Sequence, residues 1–268
     1  MKRMLSRIAA LVVLLAAMLS FTSCTLIYDM TGELKIGHPH DDGFMTVQYA
    51  KDKSITDVEI PATYGSAKVG HIADFAFENC KQLKSVTIPE GIKTIGLDAF
   101  SGCNSLTSVK IPASVTYVAP RAFYSCDALT KIEVEAGNER YESIEGVLYD
   151  KIDKILVAYP MGRADECYLV KEGTIKIGSN AFAVASTLGT VVLPDSITEI
   201  GERAFSATSI TSLYICSGVE FCDTAAFAES DMTIYFAGSE EEWNSIEHPI
   251  DDITVGTTPV FFGVSYTP

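Results

Sequence analysis

Histidine and aspartate are concentrated near the N-terminus, in the run His38-Pro39-His40-Asp41-Asp42. Imidazole nitrogens and carboxylate oxygens are ligands for zinc and other transition metals. The sequence names no distant residue that would complete such a site. We therefore interpret the run as a polar loop and predict no metal and no cofactor. A metal hydrolase that uses His38 and His40 is the weakest alternative.

Cysteines are the second group of potentially reactive residues, and the chain has seven. Three of them share one position of a sequence repeat in which later copies have alanine, threonine or serine: Cys80, Cys103 and Cys126, then Ala185, Thr208 and Ser230. Because this position favours small side chains, we predict reduced, buried thiols, with disulfides between stacked repeats as the alternative. Zinc is a poorer interpretation, because Cys216 and Cys222 are six residues apart and no closer pair occurs.

Known catalytic motifs are missing from the sequence. It contains no nucleophile elbow, phosphate-binding loop or zinc-protease motif. A dispersed Ser-His-acid site has no fixed spacing, but a repeat whose positions are filled by packing residues leaves little room for one. We therefore predict a non-enzymatic protein without catalytic or cofactor-binding residues.

An alanine-phenylalanine pair recurs along the chain and sets the architecture. The steps between successive phenylalanines are 23, 23, 59, 23 and 22 residues. A fixed period in the twenties indicates one short supersecondary unit stacked many times along an axis. The pairs are Ala76-Phe77, Ala99-Phe100, Ala122-Phe123, Ala181-Phe182, Ala204-Phe205 and Ala226-Phe227.

Each unit has further regular positions around the pair. An apolar residue and a small one precede it, as at Ile95-Gly96, and predict a tight turn. Val109 and Ile111 follow it with the spacing of two that is typical of a strand, and Pro112 ends that strand because it has no N–H to donate. We predict a unit made of a turn, a short helical corner carrying Ala-Phe, a short strand and a second turn.

These positions resemble a known repeat family. The run 72–80 with Leu83, Val86 and Ile88-Pro89, and its copies ending at Ile111-Pro112 and Leu193-Pro194, are similar to the BspA-type leucine-rich repeats of bacterial surface proteins. The resemblance covers residues 55–246. It implies a right-handed, β-rich solenoid with short parallel strands on its concave side, and it leaves the ligand open.

The 59-residue step predicts an irregular repeat over residues 135–170. Two apolar segments, Val147–Asp150 and 155–160, flank the polar residues 151–154, which indicates a β-hairpin. A structural insertion is the favoured interpretation of this hairpin, and a protruding binding feature is the alternative.

Both ends of the solenoid should carry caps, over residues 24–54 and 237–268, with the repeats between them at 55–236. Ser239 and Glu242 form a capping box, which predicts a short helix with Trp243 and Ile246 on its inner face. Strands are expected at 43–49, at 55–61 as a degenerate first repeat, and at 260–264.

The N-terminus has the features of a bacterial lipoprotein signal peptide. Three basic residues lie within 1–7, residues 8–19 are apolar, and Cys24 follows at a lipoprotein-type cleavage position. The apolar run is too short to span a membrane. We predict that 1–23 is removed and that Cys24 is lipidated. Thr25, by similarity to Gram-negative lipoproteins, predicts the outer membrane, with surface exposure left open.

Charge restricts the class of partner. Without residues 1–23 the chain has 17 Lys and Arg against 35 Asp and Glu, a net charge of −18 with neutral histidines. Nucleic acid is therefore not expected as a partner.

Outward-facing strand positions are the candidate binding surface. The middle of this row is polar with two lysines, whereas its C-terminal end has a valine and two tyrosines. Exposed aromatic residues are candidates for contact with protein or sugar, and solvent-facing strand positions without a ligand are the alternative. The predicted ligand-binding residues are Lys110, Lys131, Val192, Tyr214 and Tyr235.

Together these features predict a lipid-anchored solenoid of the bacterial cell envelope that binds an extracellular or cell-surface protein. By its resemblance, the protein would act in adhesion to host or neighbouring-cell proteins. A glycan-binding or assembly component of an envelope complex is the alternative.

Overall fold

The computed structural model describes residues 34–37, 39–223, 225–247 and 259–267. Within them the chain forms a β-solenoid of about 9 turns, which confirms the predicted fold class. The predicted signal peptide, Cys24 and His38 lie outside the described residues.

Short strands make up most of the regular structure. In chain order they are β1 (Leu34–Gly37), β2 (Met45–Ala50), β3 (Asp57–Glu59), β4 (Thr63–Tyr64), β5 (Ala67–Ile72), β6 (Ser85–Thr87), β7 (Thr94–Ile95), β8 (Ser108–Ile111), β9 (Tyr117–Val118), β10 (Lys131–Val134), β11 (Tyr141–Ile144), β12 (Val147–Asp150), β13 (Ile155–Ala158), β14 (Cys167–Leu169), β15 (Lys176–Ile177), β16 (Thr190–Val192), β17 (Glu199–Ile200), β18 (Ser212–Ile215), β19 (Phe221–Cys222), β20 (Thr233–Phe236) and β21 (Val260–Phe262). Helix α1 covers Glu240–Asn244.

The parallel strands form two rows, one more than the repeat predicts. The long-strand row contains the predicted strands: β3 pairs with β6, β8 pairs with β10, and β14, β16, β18, β20 and β21 form one sheet. The short-strand row joins β5, β7 and β9, and then β13, β15, β17 and β19. Its members include Ile95, which the sequence assigned to a turn. Two-residue strands are too short to show the alternation by which a strand is recognised.

The corners that carry the Ala-Phe pair are turns and not the short helices expected. In the first regular repeat, the Ala76 and Cys80 N–H groups donate to the Ala73 and Phe77 carbonyls three residues back, at 3.3 and 3.1 Å. Left-handed backbone at Phe75 and Asn79, both with φ of 59°, interrupts helical geometry on each side of the pair.

The phenylalanines form a buried column along the axis. The rings of Phe77 and Phe100 stack at 5.0 Å, and those of Phe182 and Phe205 at 5.1 Å. Tyr159 takes the same position in the irregular repeat, because its ring stacks on Phe182 at 5.2 Å and its N–H donates to the Ala181 carbonyl. The 59-residue step therefore consists of an irregular step of 36 residues, from Phe123 to Tyr159, and an ordinary period of 23 residues, from Tyr159 to Phe182. Sequence reasoning missed the Tyr159 copy.

In several repeats the side chain at the shared cysteine position donates a hydrogen bond as well as being small. The Cys103 and Cys126 thiols donate to the carbonyls of Phe77 and Phe100, 3.2 and 3.1 Å away. Ser230 donates to the Phe205 carbonyl in the same way. The six described cysteines are free thiols, and five of them are buried. The prediction of reduced, buried thiols is confirmed for Cys80, Cys103 and Cys126.

The irregular repeat contains the predicted hairpin and one strand more. β12 and β13 pair antiparallel with Asp150 opposite Ile155, and β11 adds to the other edge of β12. β12 divides the core in two, because Leu148 packs with the N-terminal cluster whereas Val147 and Tyr149 pack with the C-terminal one. We call the region around β12, between Phe123 and Tyr159, the seam. It also contains a void of about 20 Å³ that is lined by these two aromatic residues among others.

The two ends are closed by different elements. At the N-terminal end β1 pairs antiparallel with β2, which joins β5 in the short-strand row. At the C-terminal end α1 begins at the predicted capping box, with Ser239 and Glu242 bonded in both directions. Trp243 is buried with its ring 5.2 Å from Phe236, and Ile246 is buried just beyond the helix. Among the described residues, no helix is long and apolar enough to cross a membrane.

Candidate functional site

An apolar line of side chains crosses the five-stranded sheet of the long-strand row. In these strands the central residue points into the core, and the residues beside it point outward. The parallel register places one outward residue of each strand next to its equivalent on the neighbouring strand. We call this line the outer stripe; its members are Leu169, Val192, Tyr214, Tyr235 and Phe261.

The geometry of the outer stripe follows from the spacing of parallel strands. Neighbouring strands lie about 4.8 Å apart, so identical positions stack directly. The Tyr214 and Tyr235 rings stack at 4.7 Å with 14° between their planes, and Tyr235 stacks on Phe261 at 5.7 Å. The ring faces therefore contact one another. At the two ends of the stripe, Leu169 and Phe261 are 57% and 52% exposed.

A shallow groove runs beside the stripe. Tyr266, from the segment after β21, packs edge-on against Tyr214 with ring centroids 5.1 Å apart. The groove has a volume of about 370 Å³, and Leu169, Val192, Pro194 and Tyr266 are among its lining residues. Its lining combines apolar side chains and two tyrosines with the acidic residues Glu172 and Asp195, a mixed composition that suits a protein partner.

The two predicted lysines lie elsewhere. Lys110 is on β8 and Lys131 on β10, which form a sheet of their own. The edge of β10 is occupied by the turn between β11 and β12, because the Ile132 N–H donates to the Gly146 carbonyl at 2.7 Å. The structure thus brings Val192, Tyr214 and Tyr235 together but does not bring the lysines to them.

Both lysines also have acidic partners. Lys110 Nζ is 2.6 Å from Glu135 Oε1, and Lys131 Nζ is 2.7 Å from Glu133 Oε1. The hydrogen bond between Lys110 and Glu135 raises the pKa of Lys110 and lowers that of Glu135. Glu135 is half-buried and the other three side chains are exposed, so the pairs contribute little stability, but they leave less positive charge for a ligand.

Sequence reasoning missed Leu169 and Phe261 as members of the surface. A strand was expected at 260–264, but the sequence alone does not give the register of either residue against Tyr214. Phe261 is 26 residues beyond Tyr235 and follows α1, so the repeat period does not predict its position. Leu169 belongs to the irregular repeat and could have been aligned with Val192, which is 23 residues later.

In the structure, His71 lies beside the predicted histidine loop. It is the distant residue that the sequence alone did not identify. His71, on β5, has Nε2 3.0 Å from Asp42 Oδ2 and Nδ1 2.8 Å from Thr94 Oγ1. The His40 ring lies 4.8 Å from the His71 ring. His71 is buried, whereas His40 and Asp42 are exposed.

Comparison with known proteins identifies the repeat. A family model described as the BspA type leucine rich repeat region matches residues 47–151 and 166–236 in six copies, more than half of the chain. The chain belongs to this family. Families of this BspA type are generally non-enzymatic binding scaffolds, and leucine-rich repeat proteins generally bind other proteins. No curated protein matches the chain.

Solved structures of bacterial proteins are similar to this chain at low sequence identity. The pneumococcal vaccine antigen PcpA matches with a TM-score of 0.54 and 17% identity, over 78% of this chain and 68% of that one. A leucine-rich repeat protein from Eubacterium ventriosum matches with a TM-score of 0.47 and 18% identity, over 80% of this chain and 72% of that one. The T. pallidum leucine rich repeat protein has a TM-score of 0.46 and 22% identity, over 78% and 81% of the two chains.

Proposed function

We propose that this BspA-type protein binds another protein through the outer stripe and acts in adhesion to host or neighbouring-cell proteins. The observation that carries the proposal is the stripe itself, a continuous row of outward apolar and aromatic side chains on a regular sheet. Aromatic residues with exposed edges supply large contact area at low entropic cost, and tyrosine is enriched among the residues that dominate binding energy.

The orientation of the rings favours a protein over a sugar. A sugar usually packs against an aromatic face, but the faces of Tyr214 and Tyr235 are stacked on each other. What remains accessible is the part of each half-buried tyrosine outside the stack, and the groove beside Tyr266. These features suit an apolar side chain with hydrogen-bonding groups around it.

The proposal includes a location. We place the protein in the bacterial cell envelope at the outer membrane, held by a lipid on Cys24 after removal of residues 1–23. The sequence features of the N-terminus support this assignment. Metabolic labelling with radioactive palmitate should mark the wild-type protein and not the Cys24→Ser variant. Equal labelling of both would refute the anchor without affecting the proposed binding surface.

Binding is tested by a solid-phase screen of the Cys24→Ser protein against extracellular-matrix proteins and glycans at physiological salt. We expect saturable binding to a protein. Tyr214→Ala combined with Tyr235→Ala should weaken it at least about tenfold, because removal of a buried interface tyrosine commonly costs about 2 kcal/mol or more.

Two controls separate the outer stripe from other surfaces. Tyr117→Ala removes a tyrosine that is 50% exposed on the short-strand row, and Lys110→Ala removes an ion-paired lysine of the other sheet. Both should leave affinity unchanged. Undiminished binding by the double tyrosine variant, with Trp243 fluorescence showing that it is folded, would exclude the stripe. Binding to glycans alone would replace the protein partner with a carbohydrate.

A further inference from the structure

The loop before β2 is held in a fixed shape over the first regular repeat. The His40 N–H donates to the Phe44 carbonyl at 2.7 Å, and the Phe44 N–H donates to Asp42 Oδ1 at 3.0 Å. Phe44 packs against Gly70, where a Cβ would come within 2.6 Å of the Phe44 side chain. The absence of a side chain at Gly70 thus lets the loop lie close to β5 and brings His40 and Asp42 to His71.

Three potential metal ligands converge there. One nitrogen each of His40 and His71 and one carboxylate oxygen of Asp42 all lie within 4.8 Å of one another. A tetrahedral zinc site with bonds of about 2.0–2.1 Å places its ligand atoms about 3.3–3.4 Å apart. The His71 and Asp42 atoms, 3.0 Å apart, are already near this spacing. His40 is exposed, so its ring can turn to complete the set.

His71 also has the supporting contact that metal-binding histidines use. A ligating histidine almost always donates its second ring N–H to a neighbouring acceptor, which fixes the tautomer and the ring orientation. Without a metal, His71 Nε2 donates to the Asp42 carboxylate, which only accepts. Thr94 Oγ1, 2.8 Å from Nδ1, is placed to accept the Nδ1 proton once a metal takes the Nε2 lone pair. The His71 side chain is only 10% exposed, which limits competition from water on that side.

We propose that His40, Asp42 and His71 bind one first-row transition-metal dication, with zinc as the best candidate. Two imidazoles and one carboxylate favour such an ion over calcium or magnesium, which prefer oxygen ligands. The bound metal joins the N-terminal loop to β5 and so fastens the cap to the solenoid. This site is distinct from the outer stripe, and it shares only His40 with the His38 and His40 pair considered on sequence alone.

The test is a titration of the metal-free purified protein with zinc chloride, followed by calorimetry. We expect one equivalent of zinc to bind and to raise the melting temperature, because a ligand that binds only the folded state stabilises it. His40→Ala is the main variant, since this exposed residue can be changed without disturbing the core. It should weaken zinc binding at least about tenfold, as even loss of an outer-shell partner commonly does.

Asp42→Asn and Asp41→Asn form a matched pair, because both carboxylates lie in the same turn and only Asp42 faces His71. We expect Asp42→Asn to weaken zinc binding and Asp41→Asn to leave it unchanged. Each variant is first shown to be folded by its melting temperature without zinc. Absence of stoichiometric zinc binding, equal binding by His40→Ala and wild type, or a response to calcium in place of zinc would overturn the proposal.

Discussion

At the scale of single residues, the repeated cysteine position shows how one site satisfies two requirements. The side chain must be small enough for the space beside the phenylalanine column, and in Cys103 and Cys126 it also donates a hydrogen bond to a buried carbonyl of the preceding repeat, which Ala185 at the same position cannot do. Thiol and hydroxyl groups both do this, which explains why Ser230 can replace a cysteine. Without a donor, that carbonyl would lose a hydrogen-bond partner in the core.

Thiol reactivity should distinguish one cysteine from the rest. Burial raises the pKa of five thiols, to about 12 for Cys126 and Cys222, so these groups form almost no reactive thiolate at pH 8. Cys167 is exposed on β14, two residues before Leu169. In the Cys24→Ser variant, Ellman's reagent should titrate one thiol in the native protein and six after unfolding.

Replacement of Cys167 by serine is the control for this assignment. The native Cys24→Ser, Cys167→Ser protein should show no fast-reacting thiol. Rapid reaction of two or more thiols in the native Cys24→Ser protein would contradict the buried cysteine column.

At the scale of the elements, strands whose apolar and polar residues alternate were predictable from sequence. Strands without that alternation were not predictable. β16 and β18 follow from apolar residues two apart, and α1 follows from its capping box. The second row of strands was missed because each of its regular members has only two residues. The turns at Phe75 and Asn79 were missed because left-handed backbone at residues other than glycine has no clear sequence signal.

Helix α1 should depend measurably on its N-cap. Ser239→Ala removes the side-chain oxygen that accepts the Glu242 N–H, and loss of such a cap typically costs about 1 kcal/mol. Trp243 is the only tryptophan, so its fluorescence during urea unfolding reports on this end of the molecule. Ser217→Ala, at an exposed turn position, should change stability by less than about 0.5 kcal/mol. Equal effects of the two substitutions would argue against the cap.

At the scale of the whole molecule, the seam divides the solenoid into two blocks. In a repeat protein stability is approximately a sum of repeats and of the interfaces between neighbours. The aromatic column is continuous from Phe77 to Phe123 and from Tyr159 to Phe227, but no ring contact joins Phe123 to Tyr159 in the described part of the chain. The interface at the seam is therefore expected to be the weakest.

Two matched substitutions test this division. Phe100 and Phe205 are both fully buried and stacked on two neighbours, and Phe→Ala in a core costs about 3–5 kcal/mol. Phe205→Ala should shift the urea transition of Trp243 fluorescence to lower concentration. Phe100→Ala should shift only part of the circular-dichroism transition and leave the fluorescence midpoint in place. Equal shifts of the fluorescence midpoint would show a single cooperative unit.

The candidate binding surface was only partly accessible from sequence. Val192, Tyr214 and Tyr235 are evident from strand periodicity, because equivalent positions of neighbouring repeats stack in register. The separation of Lys110 and Lys131 from them depends on how the irregular repeat inserts into the row, which the period does not encode. The approach of His71 to Asp42 depends on a loop folding back across 29 residues, for which no local pattern exists.

The seam also determines how the molecule would carry tension. The outer stripe lies wholly in the C-terminal block, whereas the proposed anchor at Cys24 lies near the other end of the chain. A pull on a bound partner therefore passes through both blocks in series before it reaches the membrane. The interface at the seam would separate first. The 36 residues by which the irregular step exceeds one period would then unfold and add about 120 Å of extended chain. The protein would thus extend under tension while the outer stripe stays bound to its partner.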